Sequence, residues 1–207
     1  MIPVTQKRAY VSPLREQAAA RTRELILDRA AALFAERGYA RVTVADIAAA
    51  AGVAAKTVFA SVGSKGDILD RIVDTAVVES GYGDAVARVL ALRTPAEALR
   101  AVAHGTRAGN ESQFRVHEAI HKALPVHENG EALWERATAA YREALRTVAV
   151  HLHGLDEPPR HCAVEETADL LWFWFGPTGW RTLVVENGWP WERAEDMLHR
   201  TAVATLY

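Results

Sequence analysis

The chain has 207 residues, of which half are hydrophobic and 24% charged, enough to bury a proper core and unlike a disordered tail. Its single cysteine, Cys162, excludes an internal disulfide framework, and its longest strongly apolar run, Leu170 to Phe175, is too short to span a bilayer. The net charge of −2 is unevenly placed: residues 1–70 hold ten Lys/Arg against seven Asp/Glu, or +3, whereas residues 71–207 carry −5.

A basic head on an acidic body suits phosphate attraction at one end. No apolar stretch follows the charges near Met1, so neither a signal peptide nor a membrane partner is expected, and a cytoplasmic location is.

Helical signals run from end to end. Ser12-Pro13 offers an N-cap with proline at the first helical position, and Ile26, Ala30, Leu33 and Phe34 repeat at helical spacing until Gly38. Thr43 caps a short segment, Val44 to Ala51. Gly52 breaks it, and Ala54 to Val62 makes a third short helix. A longer helix is predicted from about Lys65, with Ile68, Leu69, Ile72, Val73 and Ala76 on one face, ending near Gly81-Tyr82-Gly83.

Beyond it, Thr94-Pro95 starts a helix, and another is expected from about Asn110 to Leu124, before Pro125. Residues 128–153 are strongly periodic, with Trp134, Tyr141, Leu145 and Leu152 among the repeating positions. A loop over Gly154 to Arg160 precedes helices at about 163–187 and 190–205. No period-two alternation with hairpin turns is present, so the expected fold is all-α.

The stretch from Thr43 to Phe59 carries the chemistry. Two short helices meet at a glycine turn, as a helix-turn-helix requires, with Ile47, Ala48, Val53 and Val58 as its small core. The second helix presents Ala54, Ala55, Lys56 and Thr57 at its N-terminal end, the end that enters a major groove. Backbone N–H groups and the helix dipole at that end also favour phosphate.

These residues sit in a longer set. Thr22-Arg23, Ile26-Leu27, Ala30-Ala31, Leu33-Phe34, Glu36, Gly38-Tyr39, Thr43-Val44, Ile47-Ala48, Ala51-Gly52-Val53, Thr57-Val58-Phe59 and Ser64-Lys65 follow in an order that resembles the TetR family of bacterial regulators. The tail, about Leu170 to Leu198, looks more loosely like that family's last two helices. Four positions depart from the pattern: Phe59 stands where tyrosine is commoner, Ser61-Val62 replaces an aromatic pair, and Gly66 replaces a glutamate.

The resemblance implies a flexible arm and the start of the first helix over residues 1–20. It places a three-helix DNA-binding head over 21–66 and a larger helical effector-binding and dimerisation domain over 67–207. Thr43 and Lys65 would grip phosphates, with Ser61 a third contact and Phe59 beside it lacking a hydroxyl. Lys56 and Thr57 would read base edges, and Ala54 and Ala55 would touch thymine methyls. Lys7, Arg8 and Arg15 would lie on the arm, within reach of the minor groove.

A homodimer through the last two helices would set two recognition helices one DNA turn apart on a near-palindromic operator. A small-molecule effector would then release it, which makes a repressor the expected sign.

Two features of the body bear on the effector. All six tryptophans lie beyond residue 130, and the run Trp172 to Phe175 must face at least two environments on any helix. Candidate walls of a mostly apolar effector cavity are His104, Phe114, His117, His121, Trp134, Tyr141, Trp172 and Phe175. The second feature is His117-Glu118-Ala119-Ile120-His121, which matches H-E-x-x-H, with His127 at the spacing of a third zinc ligand.

A zinc-dependent hydrolase is therefore a rival reading. Against it, Leu124 stands where the pattern has glycine, and the only methionines are Met1 and Met197. With no phosphate-cradling glycine loop or nucleophile elbow either, no enzyme activity, cofactor or metal is expected. A helical interaction module without DNA binding is the third reading, kept open by Phe59 and Ser61.

Overall fold

The computed structural model describes residues 13–207, which form helices and connecting turns with no strand among them. Helix α1 spans Pro13–Arg37, with proline at its first position; the expected cap at Ser12 and the cations Lys7 and Arg8 lie outside the described residues. It buries Ile26, Ala30, Ala31, Leu33 and Phe34 along one face. A 3₁₀ turn at Tyr39–Arg41 leads to α2 (Val44–Ala51), and α3 (Ala55–Val62) follows.

Gly52 takes φ +67°, the left-handed conformation in which a side chain would be strained, and the two helices meet at 99°. That angle falls within the helix-turn-helix range.

Helix α4 (Lys65–Val78) is capped by Ser64 as α2 is by Thr43. In each cap the hydroxyl accepts from an N–H three residues on, and the aspartate there (Asp46 or Asp67) accepts from the cap's own N–H, at 2.8 and 2.7 Å.

The body departs from expectation at three places. After α4 the chain turns at Gly81 into α5 (Tyr82–Leu90), a helix the sequence reading leaves out. Helix α6 (Pro95–Ser112) runs past Asn110, and the break to α7 (Phe114–Ala123) falls at Gln113. Neither glycine nor proline marks that break. It falls where the apolar face changes destination, because α6 buries Leu99 and Val102 in one core whereas α7 buries Ile120 and Ala123 in another.

After α8 (Gly130–His153), the single helix expected over 163–187 divides into α9 (Val164–Phe175), α10 (Pro177–Arg181) and a π-helical turn, Thr182–Glu186. Pro177 supplies no N–H to continue α9, and Gly176 lies so near the Trp172 carbonyl oxygen that a Cβ would come within 2.5 Å of it. Helix α11 (Trp191–Leu206) closes the chain. Among the described residues no single helix is long and apolar enough to cross a membrane.

Two cores result. The first joins Ile26, Phe34, Ile47, Val58, Ile68 and Leu69 to Ala119, Ile120, Ala123 and Leu133, so the core of the head runs well past residue 66 into α7 and α8. The second gathers Leu99, Leu152, Leu171, Phe175 and Trp180 from α6 and α8 to α10, with Ala202 and Leu206 from α11. The run Trp172 to Phe175 divides as its helical geometry demands: Trp174 and Phe175 are buried, Trp172 is half-buried, and Phe173 is 72% exposed.

Hydrogen bonds from Thr43 and from Ser64, hydroxyl first, hold the Asp46 and Asp67 carboxyls below the ordinary carboxylate range. Each cap therefore contributes stability that is complete above the unfolded carboxyl's pKa, about 4, and is lost as pH falls through the lower folded value. In acid denaturation, the double variant Asp46→Asn, Asp67→Asn should lose less stability below that pH than the parent chain. Identical profiles would exclude the caps as a source of acid sensitivity.

Candidate DNA-contacting face and effector cavity

Helix α3 buries Val58 and Val62 and turns its other side outward. Ala54, Ala55 and Lys56 are exposed at its N-terminal end, with Thr57 half-buried beside them. Ala54 provides no side-chain cap, so the first N–H groups of the helix are not satisfied by a cap and suit a phosphate oxygen. Phe59 is 56% exposed, and Ser61 is half-buried with its carbonyl accepting from Arg23 Nε at 3.4 Å. The Thr43 hydroxyl lies 2.5 Å from Asp46 Oδ2, so it is committed to its cap.

Two expected contacts are placed differently. Lys65 does not project freely as a phosphate grip: its Nζ donates to the carbonyls of Tyr39 (3.0 Å) and Val42 (3.1 Å) and lies 4.3 Å from the centre of the Tyr39 ring. Tyr39 and Val42 are buried against α1, which brings their carbonyls to the start of α4 and makes the lysine an internal clamp. Arg15 lies in the first turn of α1 rather than on an arm.

A cavity of about 70 Å³ lies in the body, walled by α5, α6 and α8, with Ser80 at its edge and His117 entering from α7. Tyr82 stacks on Tyr141, with ring centres 4.9 Å apart and planes 16° from parallel. The Tyr141 hydroxyl donates to the Phe175 carbonyl at 2.5 Å and accepts from Asn110 Nδ2 at 3.0 Å. Burial raises both phenols, Tyr82 to about 12, and pushes His117 down to about 4, so all three are neutral near pH 7.

Of the eight expected wall residues, His117 and Tyr141 line this cavity. Phe114, His121 and Trp134 line a smaller adjacent cleft, separated from it by His117 and Asn110, which face both. The remaining three need correction. His104 points outward, 65% exposed and 3.5 Å from Glu195. Trp172 covers Tyr141 edge-on from an outer groove, under Arg142. Phe175 is fully buried and does not line the cavity, although its carbonyl accepts from Tyr141.

The sequence reading missed Ser80, Tyr82, Thr106 and Asn110. A signal for α5 was present, since Tyr82, Ala85, Val86 and Val89 recur at helical spacing, but Gly81 and Gly83 disguised it as a turn.

The H-E-x-x-H stretch does not assemble a metal centre. Glu118 is buried and paired with Arg181 Nε at 2.8 Å, while His121 is exposed. His127 packs edge-on against Tyr39, and its Nδ1 accepts from the Asn129 N–H. Among the described residues no three His, Cys, Asp or Glu side chains come together as a ligand set.

The clamp separates two roles for Lys65. Lys65→Met should lower unfolding stability by about 2 kcal/mol, read by urea denaturation, because two carbonyls lose a charged donor. A residue that only gripped phosphate would leave the midpoint unchanged.

Residues 26–72 match the family model for bacterial regulatory proteins of the tetR family. No curated protein matches the chain by sequence. Among solved structures, the fold resembles the TetR-family transcriptional regulator PfmR from Thermus thermophilus, at 22% identity and a TM-score of 0.67, over 95% of this chain and 97% of that one. It also resembles FadR of Bacillus subtilis, solved with stearoyl-CoA, at 17% identity and a TM-score of 0.68, over 89% and 99% of the two chains. A protein of Saccharomonospora viridis solved with choline is similar at 20% identity and a TM-score of 0.69, over 87% and 95%. Residues 26–72 thus carry the pattern of the tetR family model, and the all-helical fold of the chain is that of these solved structures.

Proposed function

We propose that the chain is a homodimeric repressor that binds a near-palindromic operator and is released from it by a small-molecule effector. The observation that carries this reading is the course of α4. At its start Lys65 is clamped to the head, and Arg71 Nε donates to the carbonyl of Val62 at the end of α3. Just past its end, Ser80 and Tyr82 form part of the cavity wall.

One helix thus runs from the end of the recognition helix to the turn that carries the wall residues Ser80 and Tyr82. Along the way it is braced by Arg136, which bonds Asp70 at 2.6 Å and Asp74 at 3.2 Å from α8. A ligand that needs more than the present 70 Å³ favours a conformation with the wall at Tyr82 displaced. That preference shifts the head from its DNA-competent setting by the difference in affinity for the two states, and by no more. Proteins of this fold solved with stearoyl-CoA and with choline support an effector-binding body.

At the operator, Lys56 and Thr57 are the base-reading candidates, with Ala54 and Ala55 against thymine methyls. Thr43, Phe59 and Ser61 border the phosphates. Dimerisation through the last helical segments is supported by Phe173, whose ring is 72% exposed on α9, an exposure that a second copy would remove.

Selection from a random duplex library, followed by affinity for the winner across a salt series, tests the regulator. A near-palindromic site should be enriched. Lys56→Ala should weaken binding by about 1–3 kcal/mol and relax one base position, or, for a phosphate contact, lower the salt slope by about one with no change in preference. Absence of any enriched sequence, with weak binding even at low salt, would overturn the reading. Phe173→Arg should cost the dimer about 2 kcal/mol per copy and shift sedimentation toward monomer; an unaltered dimer would move the interface elsewhere.

A further inference from the structure

We propose that the effector is a small, uncharged, mostly apolar molecule bearing one hydrogen-bond donor, a hydroxyl or N–H group, which it gives to Asn110 Oδ1 inside the cavity of α5, α6 and α8. This rests on the reading of that cavity as the effector site. Three independent features of the walls define the ligand.

The first is charge. No Asp, Glu, Lys or Arg among the described residues lines the cavity, whose walls are chiefly alanine, valine, leucine and tyrosine. An ion entering it would shed its water and meet no carboxylate, ammonium or guanidinium of opposite sign, so an uncharged ligand is favoured.

The second is Asn110, which lines the cavity and is only 3% exposed. Its Nδ2 donates to the Thr106 carbonyl at 2.8 Å and to Tyr141 Oη at 3.0 Å. Exchanging its amide atoms would set Oδ1 against the Thr106 carbonyl, so the orientation is fixed by the network. Oδ1 has no donor and is closed even to a water molecule, so a ligand reaches it only as the walls part. Tyr141 cannot supply a donor, because its proton is given to the Phe175 carbonyl. A buried acceptor left in this state is a specific demand for a donor.

The third is space. Gly105 and Gly109 lie one turn apart within α6, and both line the cavity. A Cβ at either would meet nothing within 4 Å, and neither takes a positive φ. Neither packing nor backbone geometry requires glycine here, although glycine weakens a helix interior relative to alanine. What the pair leaves is room beside Asn110. At about 70 Å³ the cavity is roughly half the size of one that holds benzene, so a single ring already parts the walls.

The test uses the full chain with four probes of one ring each: phenol, anisole, benzoate and benzylammonium. Operator binding without any probe is measured first, and its absence counts against the regulator reading alone. Thermal shift should report phenol binding at least tenfold tighter than anisole, which has no donor, with no shift from either ion. Asn110→Leu should abolish the preference for phenol over anisole. Gly105→Leu, placed in open space, should remove phenol binding while unfolding stays cooperative, and His104→Ala, on the outer side of α6, should bind phenol normally.

Equal binding of phenol and anisole would overturn the donor assignment, and binding of either ion the uncharged class. Failure of all four probes, or undiminished phenol binding by Gly105→Leu, would overturn the site.

Discussion

Ile120 and Ala123 of α7 pack in the same core as Ile26, Phe34 and Ile47, and this contact fixes how the head sits on the body. The helices α1 to α3 supply too little apolar surface to close that core alone, as expected for so short a segment. Ile68, Leu69, Ile72 and Val73 of α4 fill one side, and Ala119, Ile120, Ala123 and Leu133 fill another. Polar ties reinforce the seam, with Lys122 of α7 donating to the Ala35 carbonyl near the end of α1. Removing any one of these large side chains would open a cavity shared by head and body.

Helix α7 has a second allegiance. One turn before Ile120 it carries His117 into the cavity, and the intervening Glu118 is pinned by Arg181 from α10. Helix α7 therefore touches both the head's core and the cavity's wall, and α4 runs from that core to the turn that carries the wall residues Ser80 and Tyr82. Under the proposed release, a displacement at Tyr82 would act on α4 through the turn at Gly81, and one at His117 would act on α7. Close-packed cores deform little, so either helix moves as a body and takes its packed neighbours with it.

The head was legible because its signals are local. Gly52 at a left-handed turn, Thr43 as a cap and the spacing of Ile26, Phe34, Ile47 and Val58 each act within a few residues and agree with one another. Past Lys65 the determinants become tertiary. The turn at Gln113 has no breaker residue and exists because two faces seek different cores. Glycines around Tyr82 hid an amphipathic helix whose Ala85, Val86 and Val89 needed the far wall of a cavity to give them meaning.

The side chains of Asn110 and Thr106 look like ordinary polar helix residues until Tyr141 arrives from α8. Lys65 misled for the opposite reason: a cation beside a recognition helix reads as a phosphate contact until two buried carbonyls are found beneath it.

The shared core also bears on how a chain of this fold can be recombined. A chimera made by exchanging residues 1–66 between relatives would separate Phe34 and Ile47 from the α4, α7 and α8 side chains shaped to fit them. The unit of exchange is the set of surfaces that close one core, and it is discontinuous in the chain. Swapped heads should function when positions 68–73, 119–123 and 133 travel with them, and should fail as mispacked hybrids when they do not.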